Sequence, residues 1–148
     1  MEKLSLCYDI AAGNFIAAGE ASSNAKAALR ERGLPGDVIR RVSICMYEGE
    51  INQVIHGGGG TASVEADESA VTITLSDHGP GIPDVSKALE EGFSTATNEI
   101  REKGFGAGMG LPNMRHYADE FEIHSEPGKG TTIIIKVNIN HTSELPRG

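Results

Sequence analysis

The chain has 148 residues, 39% of them hydrophobic and 19 of them glycine, a size that suits one domain around one core. Its net charge of −8 argues against nucleic acid, where a basic face is expected, and no run nears the ~18 apolar residues that span a bilayer. Only a short apolar run follows Met1-Glu2-Lys3, so no secretory signal is expected, and Cys7 and Cys45 read as reduced structural thiols, which together point to a soluble cytoplasmic protein.

Residues 4–10 read as a strand, and the Ala-rich run from Asn14 to about Arg32 as a helix that Asn14 could cap. Gly33 and Pro35 break the chain before a second helix, from about Asp37 to Ile55, which the glycines of 57–60 stop. Residues 61–66 and 70–76 form a strand pair. The second of these strands alternates apolar and polar residues, so one of its faces should be wet. Asp77-His78-Gly79-Pro80-Gly81-Ile82 must turn, and a short helix over roughly 84–91 follows. Residues 92–110 lack periodicity and read as a long functional loop. A helix from about Leu111 to Ala118 precedes strands near 120–125 and 131–139, joined by Pro127-Gly128-Lys129-Gly130. Residues 1–139 then form one domain and 140–148 a polar tail. The hairpin-connected late strands favour a two-layer α+β sandwich, with a mixed, mostly antiparallel sheet and helices on one face.

The glycines invite phosphate motifs. The sole Gly-Lys, at 128–129, is followed by Gly130, so a Walker A loop fails. A dinucleotide fingerprint fails because Met109 or Leu111 stands where its third glycine is required. What remains is Gly-x-Gly-x-Gly-Leu at 106–111, directly before a helix. Its backbone N–H groups could form an anion site, and a flexible loop is the equal alternative.

Glu48, Asn52 and His56 share one face of the second helix, at i, i+4 and i+8. Val38, Val42, Cys45, Ile51 and Ile55 can pack on the sheet. The Asn52 oxygen could ligate Mg²⁺ and the Glu48 carboxylate could serve as a base; a solvated polar face is the plain alternative. No second His or Cys stands at ligand spacing from His56. Glu50 adds a carboxylate that points about 200° from Glu48 on an ideal helix. Asp77-x-Gly79-x-Gly81-Ile82 after a strand could accept a hydrogen bond from an exocyclic amine, or be an ordinary turn. Gly128-Lys129-Gly130-Thr131-Thr132 is explained by a hairpin turn.

The order is more specific than the parts: Glu48-x-x-x-Asn52 on a helix, then Asp77-x-Gly79-x-Gly81-Ile82, then Gly106-x-Gly108-x-Gly110-Leu111, then Gly130-Thr131 before a strand. Over roughly residues 35–139 this resembles the ATP-binding domain of the GHKL superfamily, the Bergerat fold of gyrase B, MutL and histidine kinases. Gly92-Phe93-Ser94-Thr95, Gly110-Leu111-Pro112 and Asp119-Glu120-Phe121-Glu122-Ile123 are similar to the small bacterial serine/threonine kinases of the anti-sigma and stress-switch type, RsbT-like and RsbW-like.

The resemblance implies an ATP- and Mg²⁺-dependent kinase acting on a Ser or Thr of a STAS-domain partner, with a sigma factor as a further partner. It implies Glu48 as general base and Asn52 as Mg²⁺ ligand. Asp77 would read the adenine amino group, with Gly79, Gly81 and Ile82 at the base pocket and Thr131 near adenine. Gly106, Gly108, Gly110 and Leu111 would sit at the phosphates. A nucleotide-gated anti-sigma protein with little turnover is the alternative. Such kinases also pair through the first strand and helix, and residues 4–30 are apolar enough for a homodimer. The insert 96–103, "ATNEIREK", is longer than the RsbT type leads one to expect, and Gly104 has no assigned role beyond flexibility.

Overall fold

The computed structural model describes residues 3–13, 16–55, 58–79 and 110–139. Within them the chain runs β1 (Leu4–Ile10), α1 (Glu20–Glu31), α2 (Gly36–Ile55), β2 (Gly60–Ala66), β3 (Ala70–Asp77), α3 (Gly110–Tyr117), β4 (Glu120–Glu126) and β5 (Gly130–Asn138). The strands form one sheet in the order β1-β2-β3-β5-β4. All four ladders are antiparallel, so no parallel pair appears among the described residues. The expected short helix over 84–91, the insert 96–103, Gly104 and the tail 140–148 lie outside the described residues.

Strand alternation sets the layers. Val64, Val71, Ile73, Leu75, Ile133, Ile135 and Val137 are buried and share a core with Leu29, Val38, Val42, Cys45, Met46 and Met114 of the helices. The opposite face of β3 carries Thr72, Thr74 and Ser76, which are half-buried. Neighbouring strands β2 and β5 shield them from the full exposure that the alternation alone suggests.

Helix α2 is the centre of the fold, buried on several sides. Val38, Val42 and Cys45 enter the core as expected, Ile51 is buried outside the main cluster, and Ile55 is only half-buried. Gly49 lets α2 lie close on the sheet, because a methyl group there would run into the Leu75 side chain. Glycine is ordinarily unfavourable inside a helix; here close packing requires it.

Helix α1 begins at Glu20, not near Asn14, and Asn14 lies outside the described residues. No side chain of the local sequence caps it. The cap comes from α2: the Glu50 carboxylate accepts hydrogen bonds from the backbone N–H of Gly19 at 2.9 Å, Ala21 at 3.3 Å and Ser22 at 3.1 Å. Those are the donors a helix start leaves unpaired, and the negative charge suits the positive end of the helix dipole.

Candidate functional site

Two groups of side chains meet around α2. The first is a stripe along the helix at Arg41, Cys45, Glu48 and Asn52, a spacing of four, three and four residues that keeps one face. That stripe packs on α3. Arg41 Nε donates to the Tyr117 carbonyl at 2.9 Å, and its guanidinium pairs with Asp119 at 3.2 Å. Cys45 Sγ donates to the Met114 carbonyl at 3.6 Å. Asn113 Nδ2 donates to Glu48 Oε2 at 3.1 Å. The Asn52 carboxamide faces Gly110, where a Cβ would stand 3.1 Å from Oδ1. Glu48 and Asn52 are therefore held at the N-terminal end of α3.

Burial pushes the Cys45 thiol up to about 12, with the Arg41 charge pulling it down and the Glu48 charge pushing it up. The thiol is a packed hydrogen-bond donor here, not a nucleophile.

The second group closes the ends of β3 and β5. Asp77 is the last residue of β3, and its Oδ1 accepts from Gly79 N at 2.9 Å and Thr131 N at 3.2 Å. Gly130, at φ 107, packs so tightly on the Asp77 carbonyl that a Cβ would collide with it. That contact brings the Thr131 amide to the carboxylate. The Thr131 hydroxyl pairs with Ser125 at 2.8 Å. Gln53 ties α2 to the same end of the sheet, its Nε2 donating to the Thr61 carbonyl at 2.9 Å and the Ser76 carbonyl at 3.1 Å. Its buried Oε1 has no partner among the described residues.

Of the site residues expected from the sequence, Glu48, Asn52, Asp77, Gly79, Gly110, Leu111 and Thr131 are described. The structure brings Glu48, Asn52 and Gly110 together at α3, and Asp77, Gly79 and Thr131 together at the sheet end. Leu111 is buried in the core beneath. Gly81, Ile82, Gly106, Gly108 and His56 lie outside the described residues. Sequence reading missed Asn113, Gln53 and Ser125. Asn113 carried a faint signal as a polar residue on the first turn of a helix after the glycine run.

The donor set suits Mg²⁺ bound together with a phosphate ligand. Among the described residues no group of three or more His, Cys, Asp or Glu could cage a metal. A single carboxamide oxygen at Asn52 fits an ion that keeps water and phosphate as most of its shell. The first turn of α3 adds backbone N–H groups at Leu111 and Asn113, while Pro112, which has none, is tolerated there. A separate cavity of about 260 Å³ opens between β1, α1 and α2, lined by Tyr8, Asp9, Glu20, Asn24, Glu50 and Val54.

Comparison with known proteins agrees with the motif resemblance. Residues 37–141 match the family described as "Histidine kinase-, DNA gyrase B-, and HSP90-like ATPase". The chain is 36% identical over 97 residues to the serine/threonine-protein kinase RsbT of Bacillus subtilis (strain 168), covering 63% of this chain and 67% of that one. It is 31% identical over 115 residues to the anti-sigma F factor of Geobacillus kaustophilus (strain HTA426), covering 74% and 75%. A third relative, the anti-sigma F factor of Clostridium beijerinckii, is 33% identical over 113 residues, covering 72% and 76%.

Proposed function

The chain belongs to the histidine kinase-, DNA gyrase B- and HSP90-like ATPases, and within them to the anti-sigma and switch kinases; from that premise we propose that this serine/threonine kinase transfers the γ-phosphate of ATP, with Mg²⁺, to a hydroxyl of a STAS-domain partner. The observation that carries the reading is the pairing of Glu48 and Asn52, one turn apart, against the first turn of α3. A carboxylate, an oxygen ligand and a helix N-terminus are what phosphoryl transfer asks of a protein, because it needs mainly positioning and charge stabilisation.

Asp77 reads the adenine amino group. Its Oδ1 is taken by two backbone amides, which fixes the carboxylate and leaves Oδ2 as the acceptor without a protein donor among the described residues. Gly79, Gly81 and Ile82 would border the base, and Thr131 sits beside Asp77 through its backbone. Gly106, Gly108, Gly110 and Leu111 would bind the phosphates through backbone amides, a way for a chain of net charge −8 to hold an anion. Asn52 would hold Mg²⁺, which when bound would supply positive charge to offset that of the phosphates. Glu48 orients the incoming hydroxyl and takes its proton as the oxygen bonds the γ-phosphorus; ADP leaves with the electron pair of the broken bond.

The proposal includes residues 1–139 as one catalytic domain, action in the cytoplasm, and self-association through residues 4–30. Strand β1 is an edge of the sheet, consistent with pairing there. A second reading is favoured by the relatives named anti-sigma F factor: a nucleotide-gated module that sequesters a sigma factor with little turnover. Radiolabelled ATP, Mg²⁺ and purified STAS-domain proteins of the source organism separate the two. Label on a Ser or Thr of one of them supports the kinase; a nucleotide-dependent complex without label supports the module and refutes the transfer reading.

A further inference from the structure

We propose that Asn113 is a positioning residue for Glu48: its amide holds one carboxylate oxygen so that the other is presented to the acceptor hydroxyl. The inference rests on the phosphotransfer reading above.

The geometry is specific. Asn113 Nδ2 donates to Glu48 Oε2 at 3.1 Å across 65 residues of sequence. Only the Nδ2 end of the carboxamide can face a carboxylate favourably, since the other end is an acceptor too. Glu48 Oε1 accepts no protein donor among the described residues. One oxygen is thus tethered and its twin is left to act.

The tether is itself held. Cys45 reaches the Met114 carbonyl, and Arg41 reaches the Tyr117 carbonyl and Asp119, so α3 is fixed to α2 along the turns that follow Asn113, while Asn52 lies against Gly110 ahead of it. Buried Leu111 and Met114 anchor the same turns of α3 in the core. A glutamate on a helix surface otherwise samples several rotamers, and holding a reacting group in one geometry is a large part of what a transferase contributes. The Asn113 side chain restricts that sampling through its bond to Glu48, and replacing it with Ala or Asp leaves the backbone N–H in place.

The test is single-turnover transfer from γ-labelled ATP with Mg²⁺ to the purified STAS-domain proteins of the source organism, using wild type, Asn113→Ala and the isosteric Asn113→Asp. A lost hydrogen bond to a charged group predicts that kcat falls about tenfold or more in both, with ATP affinity within about twofold of wild type. Asn113→Asp is the more damaging, because shape is kept while a like charge replaces the donor. In a Glu48→Asp background, whose shorter side chain falls short of Asn113, adding Asn113→Ala costs no more than about twofold. Thermal unfolding accompanies each variant. Full kcat in Asn113→Asp, or a loss that follows only melting temperature or ATP affinity, overturns the positioning role while leaving the phosphotransfer reading standing. Absence of transfer by the wild type overturns both.

Discussion

Two glutamates stand two residues apart on α2, and the structure gives them different work. Glu50 is 2% exposed and its carboxylate takes three backbone donors from the start of α1: Gly19 and Ala21 on Oε2, and Ser22 on Oε1. Glu50→Gln preserves volume but replaces one acceptor oxygen with an NH₂ that faces a backbone N–H. At least one donor loses its partner in a buried place, at about 1–3 kcal/mol, and the surviving bonds weaken because the acceptor is no longer charged. Losing the charge at the helix N-terminus adds up to about 1 kcal/mol. A total near 3 kcal/mol lowers the melting temperature of a chain this size by about 6–12 °C. Glu48→Gln, half-exposed and, among the described residues, bonded to Asn113 alone, shifts it by less than about 2 °C. Differential scanning calorimetry reads the first quantity and label transfer from ATP the second. The expected pattern is a large thermal loss with retained transfer for Glu50→Gln, and the reverse for Glu48→Gln. Unchanged melting in Glu50→Gln would refute the capping role, and abolished transfer with unchanged melting would exchange the two assignments.

Other consequences are as direct. Asp77→Asn keeps an oxygen for the Gly79 and Thr131 amides, so the fold persists while the acceptor for adenine becomes a donor; calorimetric titration should show ATP affinity reduced at least about tenfold, and full affinity would remove Asp77 from the base pocket. Gly49→Ala drives a methyl group into Leu75 and should cost about 1–3 kcal/mol in denaturant unfolding, with the cost reduced when Leu75→Ala is added. A thiol reagent at pH 8 should label exposed Cys7 in the native protein and reach Cys45 only after unfolding. Because burial raises the folded-state Cys45 thiol from 9.0 to about 12, the unfolded chain loses that proton first. Its contribution to stability is therefore intact below pH 9 and lost as pH rises toward 12. Cys45→Val should flatten that alkaline slope in urea titrations.

The sequence was legible wherever the cause of a feature lay inside one element. The expected strands coincide closely with β1 to β5, with alternation explicit for β3, and the i, i+4 spacing of Glu48 and Asn52 named a shared face before any partner was known. Features caused by a different element were not legible. The start of α1 was misplaced toward Asn14 because its cap is Glu50, 28 to 31 residues away. Locally, Asp77 read either as an amine acceptor or as a turn former, and its pairing with the Thr131 amide, 54 residues on, is what fixes the carboxylate. Asn113 matters through a side chain 65 residues upstream, and Gly49 through Leu75 on the sheet. Three of these cases, those of Glu50, Asn113 and Gly49, converge on α2 for a geometric reason. Each residue turns the helix by about 100°, so Glu48 faces α3, Glu50 faces α1, and Gln53 faces the ends of β2 and β3. A helix packed on three sides converts neighbouring positions into unrelated duties. Composition therefore does not separate the proposed base at 48 from the cap at 50; the partner each one meets does.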